Sequence, residues 1–374
     1  MSEYICEVIG DEVAFKRAGT SEIETVKFDA SDVERQEDFL QAKIDETFDR
    51  IERWEELKDV ERQRYLLPLA KAGRSLLLAM DIEPNAEALR EILEDVSKLS
   101  VGSRSRTPWE FLYLGDIEEP IEIGKFLGSR IVVGRWFASR KTTRRSGSPA
   151  RGKELSLTTF YKIPENDYQV LLAEDLELSS AKSGREKRVL EKYADEVFEL
   201  IPLANGAEDD AQILRQNLSK SEALSHFNCH GLPAGRKGRQ NGLIYITEKY
   251  EVGFPFAASI SLAPHSIVVL NTCFGADLSP HRSRCIAAAF ASSPGVTVVA
   301  SYHKVEDGFA SSWADAFYEA LFAGNSVSDA MIFAKQRIIQ TEQNPAILLY
   351  TIVGQFGAKL LPSAGNLVGR SAAA

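Results

Sequence analysis

Leu224-Ser-His-Phe-Asn-Cys-His-Gly231 and Ser266-Ile-Val-Val-Leu-Asn-Thr-Cys-Phe-Gly275 are two runs of strand-forming residues, each ending in a reactive side chain with a glycine close behind it. A buried strand that stops at His-Gly, and another that stops at Cys-x-Gly, put an imidazole and a thiol at one edge of a parallel sheet. That edge, outside the carboxyl ends of the strands, is where open α/β folds bind ligands. His230 precedes Cys273 by 273 − 230 = 43 residues. A thiol reacts as its thiolate, which free cysteine barely populates at neutral pH. A neighbouring imidazole takes that proton and returns it to the leaving group.

Working outward, the sequence predicts strands at 168–174, 224–230, 242–247, 266–272, 296–302 and 347–356. Helices are expected near 184–202, 208–219, 282–292, 308–323 and 326–342. Such alternation implies βαβ units, a mostly parallel sheet and helices on both faces. Before it, residues 1–28 suit a small antiparallel β element, and 31–50, 57–80 and 84–98 carry apolar residues at helical spacing. Ser31 with Glu34 fits a capping box, and Asn85 fits the start of the third helix. Trp109–Tyr113 and Arg130–Phe137 are strand-like. Residues 138–155 are rich in Ser, Gly and Arg with little to bury, which describes an exposed linker between two halves or a processing site. The expected divisions are 1–104 (N-terminal β-hairpin and helices), 105–160, 161–362 (catalytic domain) and a frayed tail at 363–374.

At 374 residues the chain suits two domains or one large α/β unit with insertions. Its 44% hydrophobic content supports a real core. A net charge of −10 argues against nucleic acid as the main partner, because phosphate binding needs a basic face. The opening Met-Ser-Glu-Tyr-Ile-Cys shows no secretory signal pattern, and no run approaches the roughly eighteen apolar residues of a membrane helix. The cysteines are Cys6, Cys229, Cys273 and Cys285, without a CxxC pair. A reducing cytoplasm suits them, and there a working thiol stays free.

Around the pair, the backbone amides of Gly231 and Cys273 are candidates for an oxyanion hole. The competing possibility for Cys273 is a buried structural cysteine. Cys229 alternates with His230 and should face the core; Cys285 lies in an apolar helical run, and Cys6 carries no signal. His226 and His230 would share a metal only on a helix, so no metal and no cofactor is expected. His226 is instead expected as a satisfied histidine or a support to His230, and His265 and His281 as loop residues. The strand Val296–His303 should end on the same edge, making Ser301, Tyr302, His303, Glu306 and Asp307 candidates for substrate binding. Glu306 and Asp307 suit a basic side chain, although Asp307 equally suits a helix start. The basic run Arg236-Lys-Gly-Arg239 points instead to an acidic surface near the cleft.

His226-Phe-Asn-Cys-His-Gly231, Ile267-Val-Val-Leu-Asn-Thr-Cys273, Val298-Val-Ala-Ser301 with Val305-Glu-Asp307, and Phe317-Tyr-Glu-Ala-Leu321 with Gly324-Asn-Ser-Val-Ser-Asp-Ala330 occur in order. Upstream stand Thr107-Pro-Trp-Glu-Phe-Leu-Tyr113 and Phe126-Leu-Gly-Ser-Arg-Ile-Val-Val133. Over roughly residues 105–355 the chain resembles the CHAT domain, a caspase-like peptidase module related to separase; caspase-type sites also place histidine roughly 50 residues before the cysteine. The resemblance implies a caspase-like three-layer α/β sandwich, with a mostly parallel central sheet between helices and an added N-terminal β/helical region. It places the family's histidine on His230, its nucleophile on Cys273 and its acidic residue on Asp307. The chain departs from it at Tyr302-His303, where members often carry Leu-Trp, and at Phe274-Gly-Ala after the cysteine. It also implies an intracellular protease of bacterial antiphage defence or regulated cell death. The protein partner would be a substrate, for example a gasdermin-like pore former, with a separate sensor as activator. Two other functions fit the same residues: a catalytically silent interaction scaffold, and a different thiol hydrolase such as a deamidase or acyl transferase.

Overall fold

The computed structural model of the chain describes residues 2–9, 11–51, 53–80, 86–102, 105–117, 120–136, 169–174, 184–193, 196–199, 212, 215–216, 218, 224–233, 242–247, 250–262, 266–276, 285–293 and 295–360. Their centre is one eleven-stranded sheet. From one edge it runs β3 (Ile23–Lys27), β2 (Glu12–Arg17), β1 (Ser2–Ile9), β4 (Val96–Gly102), β5 (Val132–Trp136), β14 (Tyr350–Gly354), β13 (Thr297–Ser301), β12 (Ile267–Leu270), β8 (Leu224–Asn228), β6 (Gln169–Glu174) and β7 (Glu196–Glu199). Parallel pairing prevails; among the described strands of this sheet, β1–β2, β2–β3 and β13–β14 are the antiparallel ladders. A second sheet holds β9 (His230–Leu232), β10 (Leu243–Thr247) and β11 (Tyr250–Gly253).

Helices flank the central sheet: α1 (Ala30–Arg50), α2 (Asp59–Met80), α3 (Ala86–Asp95), α4 (Leu127–Arg130), α5 (Gly184–Tyr193), α6 (Phe254–Ala257), α7 (Ile286–Phe290), α8 (Asp307–Phe322) and α9 (Val327–Thr341). The strands β8, β12 and β13 are buried at every residue, the signature of parallel strands covered on both faces. The expected mostly parallel α/β sheet is therefore present. No described helix is long and apolar enough to cross a membrane.

Several local expectations are corrected. The helical periodicity over 84–98 ends at Asp95, and Val96–Gly102 is strand β4, paired with both β1 and β5. Sheet pairing that buries Leu99 and Val101 completely overrides the continuing helical pattern. Likewise 184–202 divides into α5 and β7. The cap of α1 is Asp29, whose carboxylate accepts from the Ser31 and Asp32 amides at 2.9 and 3.3 Å, rather than Ser31. Trp109–Phe111 is a single 3-10 turn, and 347–356 begins as another. The run 224–230 breaks at Cys229, so His230 belongs to the small sheet. The expectations for 138–155, 363–374, Asn85, His265, His281 and 236–239, and most of 208–219, lie outside the described residues.

A buried polar group ties the N-terminal half to the rest. Arg135 on β5 donates to Glu110 Oε2 and to Tyr302 Oη, both at 3.1 Å, and Tyr302 in turn donates to Glu110 Oε1. Burial holds the Tyr302 phenol far above its ordinary range, against the pull of Arg135. Nearby, Lys335 of α9 is buried and donates to the carbonyls of Gly128 and Ile131 at 2.8 and 3.2 Å. Burial pushes its ammonium down to about 8.

Candidate active site

Three parallel strands lie side by side with matched ends: Leu270 of β12 is opposite Phe227 of β8 and Ala300 of β13. The residues that follow each strand therefore leave the sheet at one edge. Asn271 is buried there, donating to Ala310 O at 3.2 Å and accepting from the Tyr350 hydroxyl. The turn Thr272–Ala276 is fastened to the end of β13. Ser301 Oγ reaches Thr272 O at 2.7 Å and His303 O at 3.0 Å. The Phe274 amide donates to His303 O at 3.2 Å, and the Ala276 amide to Ser301 O at 2.8 Å. Within this turn Phe274 holds a φ of 55°, a left-handed conformation uncommon for a bulky side chain.

His230 and Gly231 come to the same place from the other side. They open β9, pairing with Tyr245 and Ile244 of β10. The Gly231 α-carbon lies directly against the Cys273 carbonyl: a Cβ there would overlap that oxygen, 3.0 Å from its carbon and 3.5 Å from Thr272 Oγ1. Only glycine allows so close an approach. The residues bearing imidazole and thiol are thus backbone neighbours.

His230 is exposed, and Cys273 is half-buried while Cys6, Cys229 and Cys285 are buried. The Cys273 thiol points to Val305 O at 3.9 Å, and among the described residues no hydrogen bond joins it to His230. Burial pushes this thiol up from the ordinary cysteine range. The Asp307 carboxylate adds to the shift, while the Val305 contact and Lys304 oppose it. The resting side chain is therefore the neutral thiol. Thr272 Oγ1 is buried beside it with no partner among the described residues.

The other expected residues divide. Asp307 is exposed in the first turn of α8, close enough to act on the thiol, and the side chain of Glu306 at the N-cap makes no capping hydrogen bond to the helix. Ser301, Tyr302 and His303 are buried rather than lining a surface: Ser301 fastens the turn, Tyr302 joins Glu110 and Arg135, and His303 lies beneath Phe274. His226 is buried on β8 with Nδ1 2.6 Å from the Tyr318 hydroxyl. Cys285 caps α7, its sulfur accepting from the Ala288 amide at 3.4 Å. No group of three or more His, Cys, Asp or Glu side chains among the described residues is arranged to hold a metal. Sequence reasoning missed Asn271, Tyr350, Glu110 and Arg135. A signal existed for Asn271-Thr272, two polar residues directly after a buried apolar run; none existed for the pairing of Asn271 with Tyr350, 79 residues on, or of Glu110 with Arg135, 25 residues on.

No family model matches the chain, and no curated protein does. Among solved structures it is similar to the complex of Porphyromonas gingivalis RgpB pro- and mature domains, at 12% identity and a TM-score of 0.48 over 89% of this chain and 78% of that one. It is also similar to the Saccharomyces cerevisiae separase–securin complex, at 14% identity and a TM-score of 0.42 over 88% of this chain and 22% of that one. A second structure of that complex gives 14% identity and a TM-score of 0.41 over 88% and 23%.

Proposed function

We propose that the chain is a cysteine endopeptidase whose nucleophile is Cys273 and whose base is His230. The observation that carries it is the seating of Gly231 on the Cys273 carbonyl, which joins a His-Gly end and the one half-buried cysteine at the carboxyl edge of a parallel sheet. In the first step the Cys273 proton passes to His230 and the sulfur bonds to the substrate carbonyl carbon. The oxygen takes up negative charge within reach of the Gly231 and Cys273 amides, and the His230 proton leaves on the amine as the peptide bond breaks. Water then attacks the thioester, returning the thiol. The Phe274 amide is already given to His303 O, so it takes no part in the oxyanion hole.

Asp307, whose carboxylate acts on the thiol, and its neighbour Glu306 favour a basic residue before the cut bond. The CHAT-like motifs support an intracellular protein substrate in bacterial defence or cell death, with a gasdermin-like pore former as the example to try first. One observation favours a second function, a silent scaffold: the thiol rests on Val305 O rather than on His230. Incubation with candidate substrates and sequencing of new termini distinguishes the two. Cleavage lost in both Cys273→Ala and His230→Ala is expected; cleavage that survives Cys273→Ala sinks the peptidase, and released ammonia without new termini identifies a deamidase instead.

A further inference from the structure

His303 is the buried ionisable residue beside the site to which the proposed chemistry gives no task. Its side chain is 4% exposed and lies between two pieces of structure. On one side is the Phe274 ring, 4.8 Å away between centroids. On the other is the Phe48 ring of α1, at 6.1 Å. Its Nε2 faces Asp45 Oδ1 at 3.5 Å and Asp49 Oδ1 at 3.9 Å, two half-exposed carboxylates one turn apart on α1. Its Nδ1 is buried without a partner among the described residues, so the ring is oriented by the Nε2 side and by the two phenyl rings.

What this arrangement supports is the least comfortable backbone in the site. A bulky residue with positive φ stays there only where its surroundings over-determine it, and such strain gathers at functional turns. For Phe274, at 55°, His303 supplies both the ring beneath it and the carbonyl that takes its amide. Cys273 is the residue before Phe274, so any relaxation at Phe274 turns the thiol.

We propose that His303 is a positioning residue through which α1, by Asp45, Asp49 and Phe48, holds Phe274 left-handed and so sets where the Cys273 thiol points. This rests on Cys273 being the nucleophile. The helix is then part of the catalytic unit although it carries neither the nucleophile nor the base.

The test uses the full chain with Asp45→Asn/Asp49→Asn, and separately His303→Leu, each with and without Phe274→Gly. Three quantities are measured: the rate of Cys273 alkylation by iodoacetamide, kcat and KM for a cleaved substrate, and Tm. The carboxylates are half exposed, so the double variant keeps its fold even where His303→Leu does not. Its alkylation rate is expected to change by about tenfold and its kcat to fall by a similar factor, with KM held. Glycine adopts positive φ without support. In the Phe274→Gly background the carboxylate change should therefore move alkylation by less than about twofold. Unchanged alkylation in the double variant overturns the proposal, as does an effect of equal size in the Phe274→Gly background. The expected alkylation pattern in a chain that cuts no substrate removes the peptidase function and leaves the positioning role standing.

Discussion

Gly231→Ala tests whether the two strand ends truly meet. The new methyl would overlap the Cys273 carbonyl oxygen and lie 3.0 Å from the carbonyl carbon. Neither side yields easily. The oxygen is main chain in a turn held by Ser301 and His303, and Gly231 is paired with Ile244 of β10. One strand end must move by roughly 1.5 Å to restore ordinary contact. Overpacking of this kind costs about 1–3 kcal/mol. Over 374 residues the unfolding entropy is about 0.8 kcal/mol/K, so Tm should fall by only about 1–4 °C. A 1 Å displacement of a reacting group, by contrast, costs about a hundredfold in rate. The expected signature is thus a large loss of kcat/KM with a small loss of Tm, read by a cleavage assay beside a thermal melt. If kcat/KM stays within about twofold of the parent and Tm within about 1 °C, His230-Gly231 does not lie on Cys273.

Three further outcomes are expected. Arg135→Met leaves buried Glu110 without its cation, and denaturant titration should show a loss of about 3–5 kcal/mol, partly recovered in Glu110→Gln/Arg135→Met; a loss under about 1 kcal/mol contradicts the buried pair. Because burial raises the Cys273 thiol, its alkylation rate should reach half-maximum above the pH of an ordinary cysteine, and a midpoint at or below that of free cysteine refutes it. Lys335 titrates at about 8 when folded against 10.5 ordinarily, so its cost to stability is fully present below pH 8 and fades as pH rises toward 10.5. That cost is about 3 kcal/mol, and Lys335→Met should flatten the rise in stability between those pH values; equal slopes in parent and variant exclude it.

The strands that carry the site were legible because a strand covered on both faces must be apolar at successive positions. Ile267–Leu270 and Thr297–Ser301 announce themselves in this way, and so do the points where they stop. Boundaries were harder. Val96–Gly102 follows a helix with no turn residue between them, and only pairing with β1 and β5 makes it a strand. The wall after β13 misled for a related reason: polar residues just past a strand end read as surface, yet Tyr302 and His303 turn inward. Tyr302 finds Glu110 and Arg135 there, and His303 finds Phe48 and Phe274.

By itself, then, the sequence determined the parallel α/β core and the residues at its carboxyl edge, because burial and strand ends are written in contiguous patterns a few residues long. Only the tertiary structure decided that Gly231 sits on Cys273, that Phe274 is held left-handed, and that Asp45 and Asp49 of α1 reach His303. The last of these contacts arises where the N-terminal strands extend the central sheet and α1 comes to lie beside the end of β13. All three depend on the joint placement of segments distant in the sequence, which no local periodicity encodes.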